Sequence, residues 1–349
     1  MSSRQLELPI AIDDVAQLDR LLSEPSEAVV AGMSRIEGDI ILLGAGGKMG
    51  PTLAMMAKRA SDSAEIPRRV IGVSRFTDAA VERRLNAENI ETLRGDLLDP
   101  DFVASLPDVA NVIYMAGMKF GATRNLPLAW AMNVHVPAIV CHKYARGRIV
   151  AFSTGNVYGL APADQGGSVE SDALDPQGEY AMSCVGRERI FEYSSRAYGI
   201  PMALLRLNYA VELRYGVLVD LARKVLHGDV VDLSMGYVNV IWQGDASAMA
   251  LCALADATSP PLVLNIAGPE QLSVRDVCER FGQLLGKPVR FRGREEPDAF
   301  LSNGGVAFDH YGPPRIAAEQ IIHWVADWLS RGGVVREKST HFEVRDGRF

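Results

Sequence analysis

Cysteine is scarce in this chain. Cys141, Cys184, Cys252 and Cys278 are scattered through 349 residues with no Cys-x-x-Cys spacing. A zinc or other metal site is therefore not expected, and reduced thiols in a cytoplasmic protein are. Basic charge is also in short supply, with 36 Lys and Arg against 43 Asp and Glu and a net charge of −7. Nucleic acid is not the expected partner, because phosphate binding needs a basic face. No apolar run approaches the roughly 20 residues that span a bilayer, so no membrane partner is expected. The N-terminus lacks a basic stretch followed by an apolar core, and no signal peptide is read there. Internal repeats and low-complexity tracts are missing too.

What is present is ordinary for a soluble enzyme: 48% hydrophobic and 23% charged residues. The length allows a large core, divided between one large domain and a smaller one. The most informative segment is residues 38–50. A short apolar run, Ile40 to Leu43, enters a turn holding Gly44, Gly46, Gly47 and Gly50, and a helical pattern follows. Glycine lets the backbone take positive φ and lets a ligand approach the main chain. The free N–H groups of the helix that follows attract phosphate. The strict G-x-G-x-x-G spacing fails because position 49 is Met, whereas Gly44-x-x-Gly47-x-x-Gly50 fits.

Further along, apolar segments at 69–74, 90–96, 109–116, 148–153 and 201–207 alternate with helical stretches. That alternation predicts crossover βαβ units and a Rossmann-type, doubly wound parallel α/β sheet. Residues 1–37 form an N-terminal extension read as two short helices, broken at Pro25. Residues 38–207 read as the dinucleotide-binding domain, with 236–265 returning to it. Residues 208–235 and 266–330 read as a smaller substrate-binding cap over the strand ends. The tail, 331–349, alternates in a way that suits an added edge strand or a partner contact.

Several landmarks occur in order: the turn, Ser153-Thr154-Gly155-Asn156-Val157-Tyr158, and Tyr180 some two dozen residues on. Gly95-Asp96, Met115-Ala116-Gly117, Asn133, Arg206-Leu207-Asn208 and the Val238–Asp245 segment join them. Together they resemble the extended short-chain dehydrogenase/reductases, the NAD-dependent epimerase/dehydratase group, from about residue 38 to 330. The resemblance implies an NAD(P) cofactor held by Gly44, Gly46, Gly47, Lys48, Met49 and Gly50 of the turn. Beyond the turn it implies Ser74, Arg75, Asp96, Leu97, Met115, Ala116, Gly117, Asn133, Ser153, Tyr180 and Asn208. It further implies a carbohydrate substrate, contacts from Lys119, Asn156, Tyr158, Asn208 and Arg214, and a homodimer.

The implied chemistry is hydride transfer, with Tyr180 as acid/base and Thr154 bonding the same substrate oxygen. A tyrosine, with an ordinary pKa of about 10, needs a nearby cation, and the family supplies a lysine four residues on. Here that position is Cys184. Three readings follow. Another cation substitutes, with Lys119 best placed by topology and Arg187 less so, at roughly two helical turns. Alternatively, Lys119 or Cys184 itself takes part in acid/base work. Or the redox chemistry is lost and a dinucleotide-binding sensor or scaffold remains. Ser74-Arg75 at the second strand's end, with no carboxylate there, favours NADP over NAD. Asp232 to Ile241 contains no arginine, which favours a sugar or sugar acid over a nucleotide-sugar.

Overall fold

Strands apolar at every position must be covered on both faces, and Ile40–Leu43 is such a strand, wholly buried. The protein is described here by a computed structural model, over residues 8–119 and 125–347. Strands β1 (Ile40–Leu43), β2 (Val70–Ser74), β3 (Glu91–Arg94), β4 (Asn111–Tyr114), β5 (Arg148–Thr154), β6 (Met202–Leu207) and β7 (Leu262–Ile266) form one sheet. The order is β7-β6-β5-β4-β1-β2-β3, every pair parallel. The doubly wound α/β expectation therefore holds. The order reverses between β1 and β4, whose last residues, Leu43 and Tyr114, lie side by side. A crevice opens beyond the carboxyl ends at such a switch point.

Alternation along β1 divides the core. Ile40 and Leu42 pack with Val29, Met33, Leu53 and Leu251 on one face. Ile41 and Leu43 pack with Val112, Tyr114, Val140 and Phe191 on the other. The helices that matter below are α1 (Val15–Leu22), α2 (Glu27–Ser34), α3 (Gly50–Ser63), α4 (Gly178–Tyr198), α5 (Val217–His227), α6 (Gln243–Ala255), α7 (Val274–Leu285) and α8 (Ala318–Ser330). No helix among the described residues is long and apolar enough to cross a membrane.

The N-terminal extension forms the two short helices read from its periodicity. Asp14 and Ser26 cap them, accepting bonds from the Gln17 and Val29 N–H groups. Their burial is deeper than an external packing suggests. Val29 and Met33 of α2 sit in the sheet core, while Leu18 and Leu22 of α1 join a second large core with Trp242, Phe281 and Trp324. That second core binds α5, α7 and α8 together over the strand ends.

Two local departures shape the site. Helix α4 begins at Gly178, so Tyr180 lies in its first turn. Gly178 has φ of +78°, and Pro176-Gln177-Gly178 reads as a turn in sequence. The helix after β4 runs over Leu126–Trp130 and Val136–Lys143 through a π-turn at Ala131–His135, which carries Asn133. Such turns are rare and cluster at functional sites. The tail forms no strand among its described residues. It crosses the cap as a strap, with Phe342 buried and Arg345 bonded to the Ser234 and Asp298 carbonyls.

Arg214 ties these parts together. Its Nε donates to Glu212 at 3.0 Å and its Nη1 lies 3.0 Å from Asp19 of α1. All three side chains are buried. Arg214→Met strands the buried Glu212 carboxylate and leaves Asp19 to Arg84 alone, and such losses cost about 3–5 kcal/mol. A fall of that size in urea unfolding free energy is the expected result, and an unchanged midpoint would contradict the assignment.

Candidate functional site

The carboxyl ends of β1, β4, β5 and β6 open on one cavity of about 430 Å³, roofed by the cap. Gly44 begins its wall. It has φ of +103°, and a Cβ there would lie 2.8 Å from the Ala116 backbone nitrogen. Only glycine lets the turn after β1 close against the end of β4. Gly47 is exposed on the cavity side, so no side chain stands between its backbone and a ligand. Pro51 then opens α3 at its first turn, where a missing N–H costs nothing. These features fit a dinucleotide's pyrophosphate at the head of a helix.

Of the residues expected to hold the cofactor, Gly44, Gly47, Lys48, Met49, Met115, Ala116, Gly117, Ser153, Tyr180 and Asn208 line this cavity. Gly46 and Gly50 shape the turn from behind, and a Cβ on Gly46 would meet Ser74 Oγ at 2.5 Å. Ser74 therefore lies against the turn, while Arg75 beside it is exposed. Asp96 accepts the Leu98 N–H at 3.0 Å in a local turn, and Leu97 is buried in the core. Asn133 does not line the cavity. Its Oδ1 accepts the Met118 N–H at 2.9 Å, and its Nδ2 donates to the Met118 carbonyl and to Ser183 Oγ. It braces the loop after β4.

Thr154, Asn156 and Lys119 line the same cavity as Tyr180. Thr154 Oγ1 donates to Asn156 Oδ1 at 2.9 Å and accepts the Asn156 N–H, capping the short turn after β5. Thr154 and Cys184 both act on the Tyr180 hydroxyl. Lys119 Nζ lies 5.5 Å from the Tyr180 ring centroid. Two expected substrate contacts are placed elsewhere. Tyr158 is buried, donates to Asn265 Oδ1 at 2.8 Å and accepts from Arg206 Nη1, and its environment raises its hydroxyl to about 12. Arg214 is held in the ion pairs described above. Neither lines the cavity, because each is saturated by buried polar partners.

The cation that sequence spacing ranked second is Arg187, and it lines the cavity. Seven residues on a helix return to nearly the same face, about 10 Å along the axis. Arg187 Nη1 donates to the Phe152 carbonyl at 2.9 Å and Nη2 to Asn133 Oδ1 at 2.5 Å. Room for the guanidinium comes from Gly117, where a Cβ would stand 2.3 Å from Nη2. Burial, then the Cys184 sulfur, push the Tyr180 hydroxyl upward, while Arg187 and the Thr154 contact pull it down. Burial pushes the Cys184 thiol up as well, and Arg187 is the strongest opposing influence. Lys119 is driven down by burial to about 8.

Sequence reasoning passed over Lys338 and Thr340, which the strap brings to the cavity, Tyr215 from the cap side, and Gln243 at the head of α6, where it bonds Thr52. No local motif marks them. They reach the cavity only through tertiary packing.

A model of the NAD dependent epimerase/dehydratase family matches residues 40–238. No curated protein matches the chain. Among solved structures, a UDP-glucose 4-epimerase from Thermotoga maritima with UDP-glucose is similar at TM-score 0.70 and 17% identity, covering 84% of this chain and 99% of that one. A UDP-glucuronic acid 4-epimerase from Bacillus cereus, with UDP-glucuronic acid and NAD, has the same figures. A dTDP-glucose 4,6-dehydratase from Streptomyces venezuelae with NAD reaches TM-score 0.71 and 19% identity, covering 84% and 97%. At these identities the likeness concerns the fold. The match to the family model, over more than half of the residues, makes this chain a member of the NAD dependent epimerase/dehydratase family.

Proposed function

We propose that the protein is an NAD(P)-dependent oxidoreductase or epimerase/dehydratase of a carbohydrate, with Tyr180 as the acid/base. The observation that carries this reading is the convergence of Tyr180, Thr154 and the glycine turn on one cavity. A dinucleotide sensor that does no chemistry has no use for a hydroxyl pair at that place.

The nicotinamide, when bound, takes or returns the hydride of a carbinol carbon. Tyr180 Oη takes the proton of that carbon's hydroxyl as the C–H hydride departs, which leaves a carbonyl. Thr154 Oγ1 steadies the same oxygen. The phenolate form is what Tyr180 needs, and burial together with Cys184 opposes it. Arg187 favours it, and in this reading Arg187 stands in for the lysine expected at position 184. It is a positioning residue, held off the substrate by Asn133 and the Phe152 carbonyl. Lys119 has a secondary place, because burial lowers its ammonium to about 8, so its charge fades at the alkaline pH at which a phenol ionises.

For the cofactor, the exposed Arg75 beside Ser74 and the lack of a carboxylate there support NADP over NAD. For the substrate, the arginine-free stretch from Asp232 to Ile241 and the engaged Arg214 support a sugar or sugar acid. The solved neighbours that carry UDP-sugars keep a nucleotide-sugar as the second reading. Exposed Met182, Tyr193 and Tyr198 on α4 support a homodimer.

Tyr180→Phe is expected to reduce turnover of an accepted sugar by about 10²–10⁴-fold, with a much smaller change in cofactor affinity. If none of a broad sugar panel yields reduced nicotinamide or an epimerised or dehydrated product, the sensor reading stands instead. Removing a cation raises a phenol's pKa, so the rising limb of the pH–rate profile for oxidation should move to higher pH in Arg187→Met. Arg187→Lys should restore it in part, and Lys119→Met should move it less. A profile that Arg187→Met leaves in place defeats the assignment. Arg75→Met should weaken NADP binding by about tenfold, the worth of one charge-assisted hydrogen bond, and leave NAD binding alone.

A further inference from the structure

The cavity holds a charge that the chain's composition conceals. Among the described residues its lining includes Lys48, Lys119, Arg187 and Lys338 and no aspartate or glutamate, in a protein of net charge −7. Arg187 is accounted for by its bonds to Asn133 and Phe152. The lysines come from three separate parts of the fold: the glycine turn, the end of β4 and the C-terminal strap. Lys48 Nζ lies over the Tyr215 ring, 2.8 Å from its centroid, so its side chain extends toward the cap. Lys338, Arg336 and Lys119 all press on the Lys48 charge, and Asp220 is the acid that opposes them. Asp220 is itself engaged, accepting the Thr340 N–H at 2.7 Å and the Thr340 hydroxyl at 2.6 Å. With burial, these neighbours hold the Lys48 ammonium down to about 6.

The strap that carries Lys338 is anchored on both sides of it. Before it, the Gly333 N–H donates to the Trp328 carbonyl and the Arg336 N–H to the Arg214 carbonyl. After it, Thr340 bonds Asp220, Phe342 is buried in the cap core and Arg345 bonds the Ser234 carbonyl. The strap ends against the Gln177–Gly178 backbone, at the start of the helix that carries Tyr180. Lys338 is thus presented to the cavity from the cap side, away from the β2 end where Ser74 and Arg75 lie.

We propose that Lys338, with Lys48 and Lys119, forms an oxyanion-binding subsite for a charged group on the substrate, built by the C-terminal strap. Like charges held together in a part-buried cavity disfavour one another, and a bound anion relieves that repulsion. Two substrate groups share the chemistry, a diphosphate and a sugar-acid carboxylate. The assignment rests on the substrate-binding role of the cavity proposed above. It also explains how an anion is gripped without an arginine between Asp232 and Ile241.

The test is equilibrium binding to the full-length, NAD⁺-saturated protein, so it does not depend on turnover. Inorganic pyrophosphate and glucuronate are the probes, with glucose as the uncharged control. The wild type should bind pyrophosphate, glucuronate or both more tightly than glucose. Lys338→Met should weaken the preferred probe by about tenfold and Lys338→Arg should keep it, with NAD⁺ affinity unchanged in both. Which probe responds identifies the source of the anion. Equal weakening of NAD⁺ binding would give the lysines to the cofactor's own pyrophosphate and overturn the proposal. An unaffected Lys338→Met, or no preference for anions in the wild type, would overturn it too. Failure of the wild type to bind either NAD⁺ or NADP⁺ would instead remove the functional reading beneath it. An unchanged thermal midpoint in Lys338→Met separates lost binding from lost folding.

Discussion

A buried guanidinium with nowhere to go but its hydrogen-bond partners organises the centre of this protein. Arg187 spans from α4 to the end of β5 and to the π-turn that carries Asn133. Each partner is constrained by it in return. Asn133 gives Oδ1 to Arg187 and to the Met118 N–H and uses Nδ2 on the Met118 carbonyl and Ser183, so it links α4 to the loop after β4. Gly117 must lack a side chain for the guanidinium to fit. A charge taken out of water this far needs partners for its donors, and Nη1 and Nη2 have them while Nε has no hydrogen-bond partner among the described residues. That requirement sets the approach of α4 to the sheet and so the position of Tyr180.

A second buried ion pair works the same way nearby. Arg206 of β6 bonds Glu188 of α4 at 2.9 Å, and Glu188 also accepts from Ser153. Tyr158 joins this group through Arg206 and Asn265. The family landmarks around 153–158 and 206–208 therefore serve two purposes. Thr154 and Asn156 face the cavity, Ser153 lines it and also bonds Glu188, and Tyr158 and Arg206 hold the helix against the sheet. Sequence spacing alone groups them as one motif, because neighbours in the chain look alike until the sheet assigns their faces.

The C-terminal strap and the N-terminal helices enlarge the cap from outside the span matched by the family model. Leu18 and Leu22 fill the cap core from one side, and Phe342 fills it from another. Arg214 between them holds Glu212 and Asp19. Helix α1 therefore reaches the cavity indirectly, by supporting its roof, and the strap directly, by supplying Lys338 and Thr340.

The parallel sheet, the glycine turn and the order of the helices were legible in the sequence, because each is set by a local period or by a residue with unusual backbone freedom. The Gly44-x-x-Gly47-x-x-Gly50 spacing marked a tight glycine turn at the head of a helix, and Cys184 announced a missing cation, from neighbouring residues alone. The chain order could not say what stands near that gap. Arg187 was discounted because two helical turns is a long reach, yet it shares a face with Tyr180, and the space left at Gly117 admits its side chain. Tyr158 and Arg214 looked like ligand contacts because they are polar and near landmarks, whereas burial commits them to other side chains. The lysine-lined wall was invisible, since Lys48 and Lys338 stand 290 positions apart in the sequence. Local backbone preference acts over a few residues, so the sequence by itself determined the elements and the turn. The charge inside the cavity was decided by tertiary packing, because it depends on which distant side chains are excluded from water together.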